Sequence, residues 1–393
     1  MLAVTKPKPY ENEEWSHGFN IIDMPETTLP DDEHVLIEVS TGGICGTDVG
    51  IFNSKESIKK EMMLAVDIDP IIIGHEFAGK LVEIGNGALE FLGSKFNSQV
   101  NSEFKNKLLN EYDVTAEMHI TCGTCLQCRI GEKHVCKNTI IKGIHEHGAF
   151  TKYITVPVEN LVLIQRGKIP MEIMSFMDAI GNAVHTTSVI DIKDKTIAIL
   201  GCGIQGLMAT AISHKLGAKK IFVTDASHPN AGMTPEKLED SHFAMANKFG
   251  AAACFDMAIH DNRQKFFDFI MDETDGIGVD GVLEMSGNYR AYEDAFKVLR
   301  AGGVFALLGL PSGDFQMDFA RDVIFKGATV KGIIGRRVWE TWDLMTELLE
   351  SGLSDTFMDN GFVTHDLGIS EIDQAFKEIG AGNALKVLLR PEK

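Results

Sequence analysis

Four of the seven cysteines crowd into TCGTCLQCRIGEKHVC, residues 121–136, as Cys122, Cys125, Cys128 and Cys136 in the spacing C-x2-C-x2-C-x7-C. Four thiolates on one short lobe match the tetrahedral preference of Zn2+, and a closed four-sulfur site keeps no position open for a substrate, so such a metal is structural. Three other readings compete. A bacterial-type iron–sulfur motif carries three residues before its fourth cysteine and usually a proline after it, whereas seven residues precede Cys136 and Asn138 lies beyond it. A disulfide framework belongs to an oxidising compartment, and a nucleic-acid-binding zinc ribbon needs a basic surface.

A second set of ligand types lies upstream. Cys45 in GGICGTDVGIF, with His75 and Glu76 in IIIGHEFAGKLVEIG, supplies thiolate, imidazole and carboxylate. These are the donors of catalytic zinc sites, which keep one position for water or substrate. Taken alone, His75 reads equally as a hydrogen-bonded histidine beside an apolar run.

The elements that must hold these groups are strands. VLIEVSTGGI at 35–44 is β-rich and leads into Cys45, and an alternating run follows Glu76. Farther on, KTIAILGCGIQG at 195–206 is a buried strand running through Gly201, Gly203, Ile204, Gln205 and Gly206, the G-x-G-x-x-G pattern, into the helix LMATAISHKLGA. Its glycines permit a tight turn, the backbone's approach to a pyrophosphate and close helix packing, while the helix N-terminus favours the phosphate charge. The next strand, KIFVTD, ends in Asp225, 19 residues after Gly206. A carboxylate there accepts from an adenosine ribose and repels a 2′-phosphate, which favours NAD over NADP. Strands recur at GVDGVLEMSG and GGVFALLGLP around the helical YEDAFKVLRAG, so the alternation predicts a doubly wound parallel sheet to about residue 310. Cys202 reads as a small apolar filler of the glycine loop, and Cys254 as a core cysteine.

The chain of 393 residues is long enough for two cores. Its net charge of -19 and pI of ≈ 5.1 repel polyanions, and no run of Lys or Arg offsets that field, so nucleic acid is not an expected partner. MLAVTKPKPYENEEW lacks an apolar segment of signal-peptide length, and no stretch approaches the ~18 apolar residues that span a bilayer. The expectation is a cytoplasmic protein with no membrane partner.

With CGTD at 45–48, GHE at 74–76, the four-cysteine lobe and GCGIQG in that order, the chain resembles the zinc-dependent medium-chain alcohol dehydrogenases over nearly its full length. HITCGTCLQCRIGEKHVCKNTI at 119–140, AIGNAVHT at 179–186, LEMSG at 283–287 and IFKGATVKGIIGRRVWETW at 324–342 place the likeness in the threonine and polyol branch. The resemblance implies an α/β chain. Residues 1–174 would form a GroES-like, mostly-β catalytic domain with the zinc lobe at 119–138, 175–321 a Rossmann NAD-binding domain, and 322–393 a return to the catalytic domain. It implies two zinc ions per chain, one held by the lobe and a catalytic one by Cys45, His75, Glu76 and Asp178. Thr47 would take the substrate proton, His119 would look into the substrate pocket, and Leu308, Gly309, Leu310, Ile333 and Ile334 would join the NAD contacts. Arg336 and Arg337 would reach the cofactor or cap a helix. The implied reaction is hydride transfer from a small secondary alcohol to NAD+, with L-threonine, oxidised to 2-amino-3-oxobutanoate, first and a polyol or diol second, in a homo-oligomer, dimer or tetramer. A zinc-stabilised NAD-binding protein without turnover is the rival from another class, and it has no physical need for an open metal site.

The sequence departs from that pattern in three places. Many relatives carry a proton-relaying histidine three residues after the Thr, where this chain has Gly50. Residues 92–111 read as a polar surface excursion with a short helix, and 228–243, just after Asp225, as an exposed loop. Trp15, Trp339 and Trp342, with Met174 and Met177, read as packing residues.

Overall fold

The computed structural model describes residues 1–65 and 68–391 and divides into two units. The first comprises Met1–Ala179, Val363–Ile379 and Lys386–Lys393, the second Ile180–Phe362 and Gly380–Leu385.

A seven-stranded sheet organises the first unit. Its order is Leu161–Gln165, Tyr112–Ala116, Glu76–Ile84, His34–Gly43, Lys386–Arg390, Val363–Gly368, and Tyr153–Pro157 also pairs with His34–Gly43. All neighbours are antiparallel except the last two strands of that order. This is the mostly-β, GroES-like half. The register sets Gly43 opposite Glu76, so the chain leaving one strand at Cys45 meets the chain entering the next at His75. Gly43 is required there, because a Cβ would lie 2.5 Å from Glu76 Oε2.

The stretch 92–111 is more than a surface excursion. Two helices, Asn86–Lys95 and Ser102–Glu111, occupy it, the second capped by the Asn101 side chain accepting from Phe104 N–H at 2.8 Å. Leu92, Phe104 and Leu108 enter the same core as Val39, Phe77, Val114 and Leu161. Their spacing, about one helical turn between Phe104 and Leu108, had carried the apolar face that the polar composition masked. Leu108→Ala is expected to cost about 2–5 kcal/mol, read as a lowered urea midpoint, whereas a surface excursion would leave that midpoint unchanged.

The second unit is a six-stranded, all-parallel sheet ordered Ala253–Asp256, Lys220–Asp225, Thr196–Leu200, Val279–Glu284, Leu299–Leu307, Thr329–Gly332. In chain order this is 3-2-1-4-5-6, the doubly wound dinucleotide-binding arrangement, whose crevice opens where the order reverses, beyond the carboxyl ends of Thr196–Leu200 and Val279–Glu284. The second unit runs to Phe362 rather than ending at 321, because Thr329–Gly332 adds a parallel strand beside Leu299–Leu307 and the following helix Glu340–Leu348 buries Trp342 and Met345. The first break falls after Ala179, within the helix Met177–Ser188, rather than at 174.

The stretch 228–243 is also no free loop. It turns through Pro229–Ala231 and Pro235–Leu238 into a π-helical segment, buries Leu238 and Phe243, and reaches Asn383 Oδ1 through Lys237 Nζ at 2.5 Å. Trp15, Trp342, Met174, Met177 and Cys202 are buried, while Trp339 and Cys254 are half-buried. No helix among the described residues is long and apolar enough to cross a membrane.

Candidate active site and metal centres

In the cysteine lobe the four side chains converge. Sγ–Sγ separations are 3.5 Å for Cys125–Cys128, 3.6 Å for Cys122–Cys136 and 3.9 Å for Cys125–Cys136. A tetrahedron with metal–sulfur arms of about 2.3 Å has edges of about 3.8 Å, while a disulfide requires about 2.05 Å. All four are free thiols. Backbone N–H groups of Cys125, Cys122 and Asn138 point at the Cys122 and Cys136 sulfurs at 3.4 Å. Hydrogen bonds from backbone amides pull Cys122 down to about 5, and burial pushes Cys128 up to about 12. Four sulfurs at these separations form a tetrahedral donor set that fits zinc.

The second centre forms where Cys45, His75 and Glu76 offer ligand atoms that all lie within 4.8 Å of one another. Cys45 is the N-cap of the helix Gly46–Phe52, and its N–H donates to Asp48 Oδ2 at 2.8 Å, which seats the fully buried Asp48 beneath the site. Asp48 Oδ1 faces His75 Nδ1 at 3.6 Å. Gly74 precedes His75 at φ +94 with Phe150 2.3 Å from where its Cβ would be, so only glycine delivers the imidazole here.

The electrostatics are those of a site built around a cation. Burial and Glu76 push the Cys45 thiol up, and burial pushes Asp48 up to about 6. Burial disfavours a charged His75, yet Asp48, Cys45 and Asp178 outweigh it and hold the imidazole well above its ordinary range. Glu76 is wholly buried, ion-paired with the equally buried Lys386, and leaves Oε1 without a hydrogen-bond partner. Lys386 Nζ also donates to the Ile44 carbonyl at 2.8 Å. A thiolate, an imidazole and an oxygen left over after Lys386 is satisfied form a donor set that a divalent zinc ion fits.

Asp178, in the first turn of the helix Met177–Ser188, joins Glu117 and His119 in a second trio of ligand atoms within 4.8 Å. Glu117 Oε1 accepts from His119 Nδ1 at 2.8 Å and from its backbone N–H at 3.0 Å. Asn160 clamps the same turn by donating to the Glu117 and His119 carbonyls. Glu117 belongs to this cluster and was not singled out from the sequence, although its place two residues before His119, on the same face of an extended segment, was the available signal. Asp48 and Lys386 were missed as well. Thr47 sits half-buried in the first turn after Cys45, and Gly50 is buried with Ile58 and Lys55 as the nearest neighbours of a Cβ there.

In the second unit the three glycines have three separate reasons. A Cβ on Gly206 would lie 1.8 Å from the Gly201 carbonyl oxygen, Gly201 has φ +106 with Ser286 2.8 Å from its Cβ position, and Gly203 has nothing within 4 Å. Gly203 thus presents open backbone at the N-terminus of the helix Ile204–Lys215. Asp225 Oδ2 accepts from Cys202 N–H at 2.8 Å and Oδ1 from Ala226 N–H at 2.7 Å, which pins the carboxylate against the loop. Burial nonetheless pushes that carboxyl up. A cavity of ≈ 580 Å³ opens among Gly201, Gly203, Asp225, Ser227, Ser286 and Arg290. Leu308 and Gly309 donate their N–H groups to the Glu284 carbonyl, Leu310 is 90% exposed, and Ile333 is buried beside an exposed Ile334. Arg336 is buried with Nη1 on Asn182 Oδ1 at 3.2 Å and fills the space left by Gly181, whereas Arg337 pairs with Glu340 at the surface.

Two family models match: "alcohol dehydrogenase GroES-like domain" over residues 31–166 and "zinc-binding dehydrogenase" over residues 206–351. The chain is 35% identical over 391 residues to an L-threonine 3-dehydrogenase of Caldanaerobacter subterraneus subsp. tengcongensis, spanning 100% of this chain and 99% of that protein. It is 33% identical over 380 residues to a protein of the same name from Symbiobacterium thermophilum, with 95% of each covered. Among solved structures, an alcohol dehydrogenase of Thermotoga maritima matches with TM-score 0.76 at 23% identity over 99% of both chains. The 2R,3R-butanediol dehydrogenase of Bacillus subtilis matches with TM-score 0.77 at 21% identity, again over 99% of both chains. At those identities the two solved structures share the fold.

Proposed function

The chain belongs to the zinc-dependent medium-chain alcohol dehydrogenases, and from that premise we propose that it oxidises the secondary hydroxyl of L-threonine to 2-amino-3-oxobutanoate with NAD+. The observation that carries the substrate is the Glu117–His119–Asp178 trio. An α-ammonium brought out of water needs anionic or accepting partners, and a diol does not; Glu117 and His119 supply them, joined by Asp178 where Glu76 completes the zinc's ligand set. The full-length likeness to proteins named L-threonine 3-dehydrogenase supports the same reading.

Cys45, His75 and a carboxylate from Asp178 or Glu76 would hold one zinc, and the cysteine lobe a second. When bound, the first supplies Lewis acidity that eases loss of the alcohol proton near neutral pH, and NAD+ held by the glycine loop supplies the hydride acceptor. The remaining work belongs to side chains. Thr47 has no basic pKa and only relays the proton. Gly50 offers no imidazole to receive it, so water or His119 continues the path. Asp48 lies beside His75 Nδ1 at 3.6 Å, and Lys386 anchors the Glu76 carboxylate. The substrate test is NAD+ reduction at 340 nm across L-threonine, L-allo-threonine, 2,3-butanediol and sorbitol. A preference for L-threonine supports the reading, and turnover of uncharged diols alone refutes the substrate while sparing the mechanism.

The cofactor choice rests on Asp225. Its carboxylate accepts from a ribose and repels a 2′-phosphate, and Asp225→Asn removes the charge while keeping an acceptor for the loop. The expected result is a shift of kcat/KM towards NADP+ of roughly 10- to 100-fold; an unchanged cofactor ratio would count against NAD selection here.

We also place a second copy of the chain on the edge of the parallel sheet. Thr329–Gly332 is exposed along its length, with Val330 41%, Ile324 69% and Phe325 85% exposed around it, and an unpaired apolar edge is a template for strand pairing. Light scattering is expected to give a dimer or tetramer that Val330→Lys weakens, and a wild-type monomer would refute it.

A further inference from the structure

We propose that the first unit carries a second small-molecule site, apart from both metal centres, that takes a short aliphatic carboxylate. The site is a cavity of ≈ 430 Å³ between the stretch 139–148 and the strand Tyr153–Pro157. That volume lies within the range of small-ligand pockets, about 300–1,000 Å³. Cys45, Thr47, His75, Glu76, His119 and Asp178 are not among its lining residues.

Its walls are apolar where they are formed by Leu64, Ile72, Ile140 and Ile154, and its polar groups favour an anion. Lys142 is only 7% exposed, and its ammonium pairs at 2.6 Å with Glu146, whose side chain is 37% exposed at the rim. His147 Nδ1 accepts from the Ile72 backbone N–H at 3.1 Å. A backbone N–H can only donate, so the ring proton resides on Nε2 and His147 is a neutral donor; burial holds it below its ordinary range. His145 is fixed the same way by Ile141 N–H at 3.0 Å, with Nε2 turned towards Glu61 at 3.7 Å.

A buried cation, a neutral donor and aliphatic walls complement one negative charge on an apolar body. Glu146 can turn outwards to water while the ligand carboxylate takes its place on Lys142, so neither step strands a buried charge. A phosphate dianion would meet a single ammonium. The cavity also adjoins the metal centre mechanically. Gly143 and Gly148 press on Gly74, since a Cβ on either would lie 2.5 Å or 2.1 Å from the Gly74 carbonyl oxygen, and Gly74 immediately precedes His75.

The test is titration calorimetry of the zinc-loaded full chain with hexanoate in the absence of NAD+. Saturable binding is expected, weakened about tenfold or more in Lys142→Met and in Ile140→Trp, and retained in Cys45→Ser. The last variant matters because carboxylates also bind zinc: binding that disappears with Cys45→Ser sits on the metal and overturns the proposal. No saturable heat with the wild type, or unchanged affinity in both cavity variants, overturns it equally. Should Lys142→Met fail to fold, Ile140→Trp, on the exposed rim, decides. A parallel titration with L-leucine separates a plain carboxylate from an amino acid, whose ammonium Glu146 would accept; either ligand binding in this pattern supports the site. Hexanoate binding that survives in a protein without alcohol turnover would leave the cavity standing and remove only the oxidation.

Discussion

Cys45→Ser is expected to reduce alcohol oxidation by about a thousandfold or more while leaving the melting temperature within a degree or two of the parent. The loss follows from charge. A serine hydroxyl is not ionised near neutral pH and is a poor zinc donor, so His75 and a carboxylate are left to hold an ion alone, and the several kcal/mol of stabilisation supplied by a Lewis acid disappear with it. The fold survives because the sheet register that aligns Gly43 with Glu76 does not depend on the thiol, and Lys386 already neutralises the buried Glu76. The accompanying readout is zinc content, expected to fall by one ion per chain. Full turnover in this variant would remove Cys45 from the chemistry altogether.

The paired substitution Cys125→Ser/Cys128→Ser is expected to do the reverse, with stability failing first. Zinc binding in small cysteine modules has an apparent free energy of about 10–16 kcal/mol, against a total domain stability of about 5–15 kcal/mol. The lobe has little else to hold it, since Leu126 and Ile130 are 59% and 60% exposed and only Cys128 and Cys136 among its cysteines are buried. Transmission of a fraction of that energy lowers the melting temperature by about 10 °C or more, measured by circular dichroism with and without added zinc. A sulfur cluster that needs no metal would give a melt indifferent to chelator. Because cysteine thiols must lose their protons to bind, acid should release the lobe's zinc and lower the melt, while mild alkali should not.

The parts of the molecule legible in the sequence were those governed by local rules. The glycine loop could be read because each glycine answers a steric demand set by its immediate neighbours, and the four cysteines because a metal imposes spacing. Cys45, His75 and Glu76 were legible as donor types, but what gathers them is the register of two strands some thirty residues apart, which no local pattern encodes. Lys386 shows the limit most plainly. It neutralises Glu76 from 310 residues away, on a strand that returns after the whole second unit, and nothing near it in the sequence marks it as other than a surface lysine. The two insertions misled for a different reason. Their polar composition hid the few apolar positions, Phe104 and Leu108 in one and Leu238 and Phe243 in the other, that the folded units bury.

The most direct measurement is mass spectrometry of the NADH formed when the zinc-loaded protein turns over L-threonine deuterated at C3. The NADH is expected to carry the deuterium, and Cys45→Ser is expected to form none. NADH without the label, or no NADH from L-threonine under conditions where an uncharged diol reacts, would contradict it.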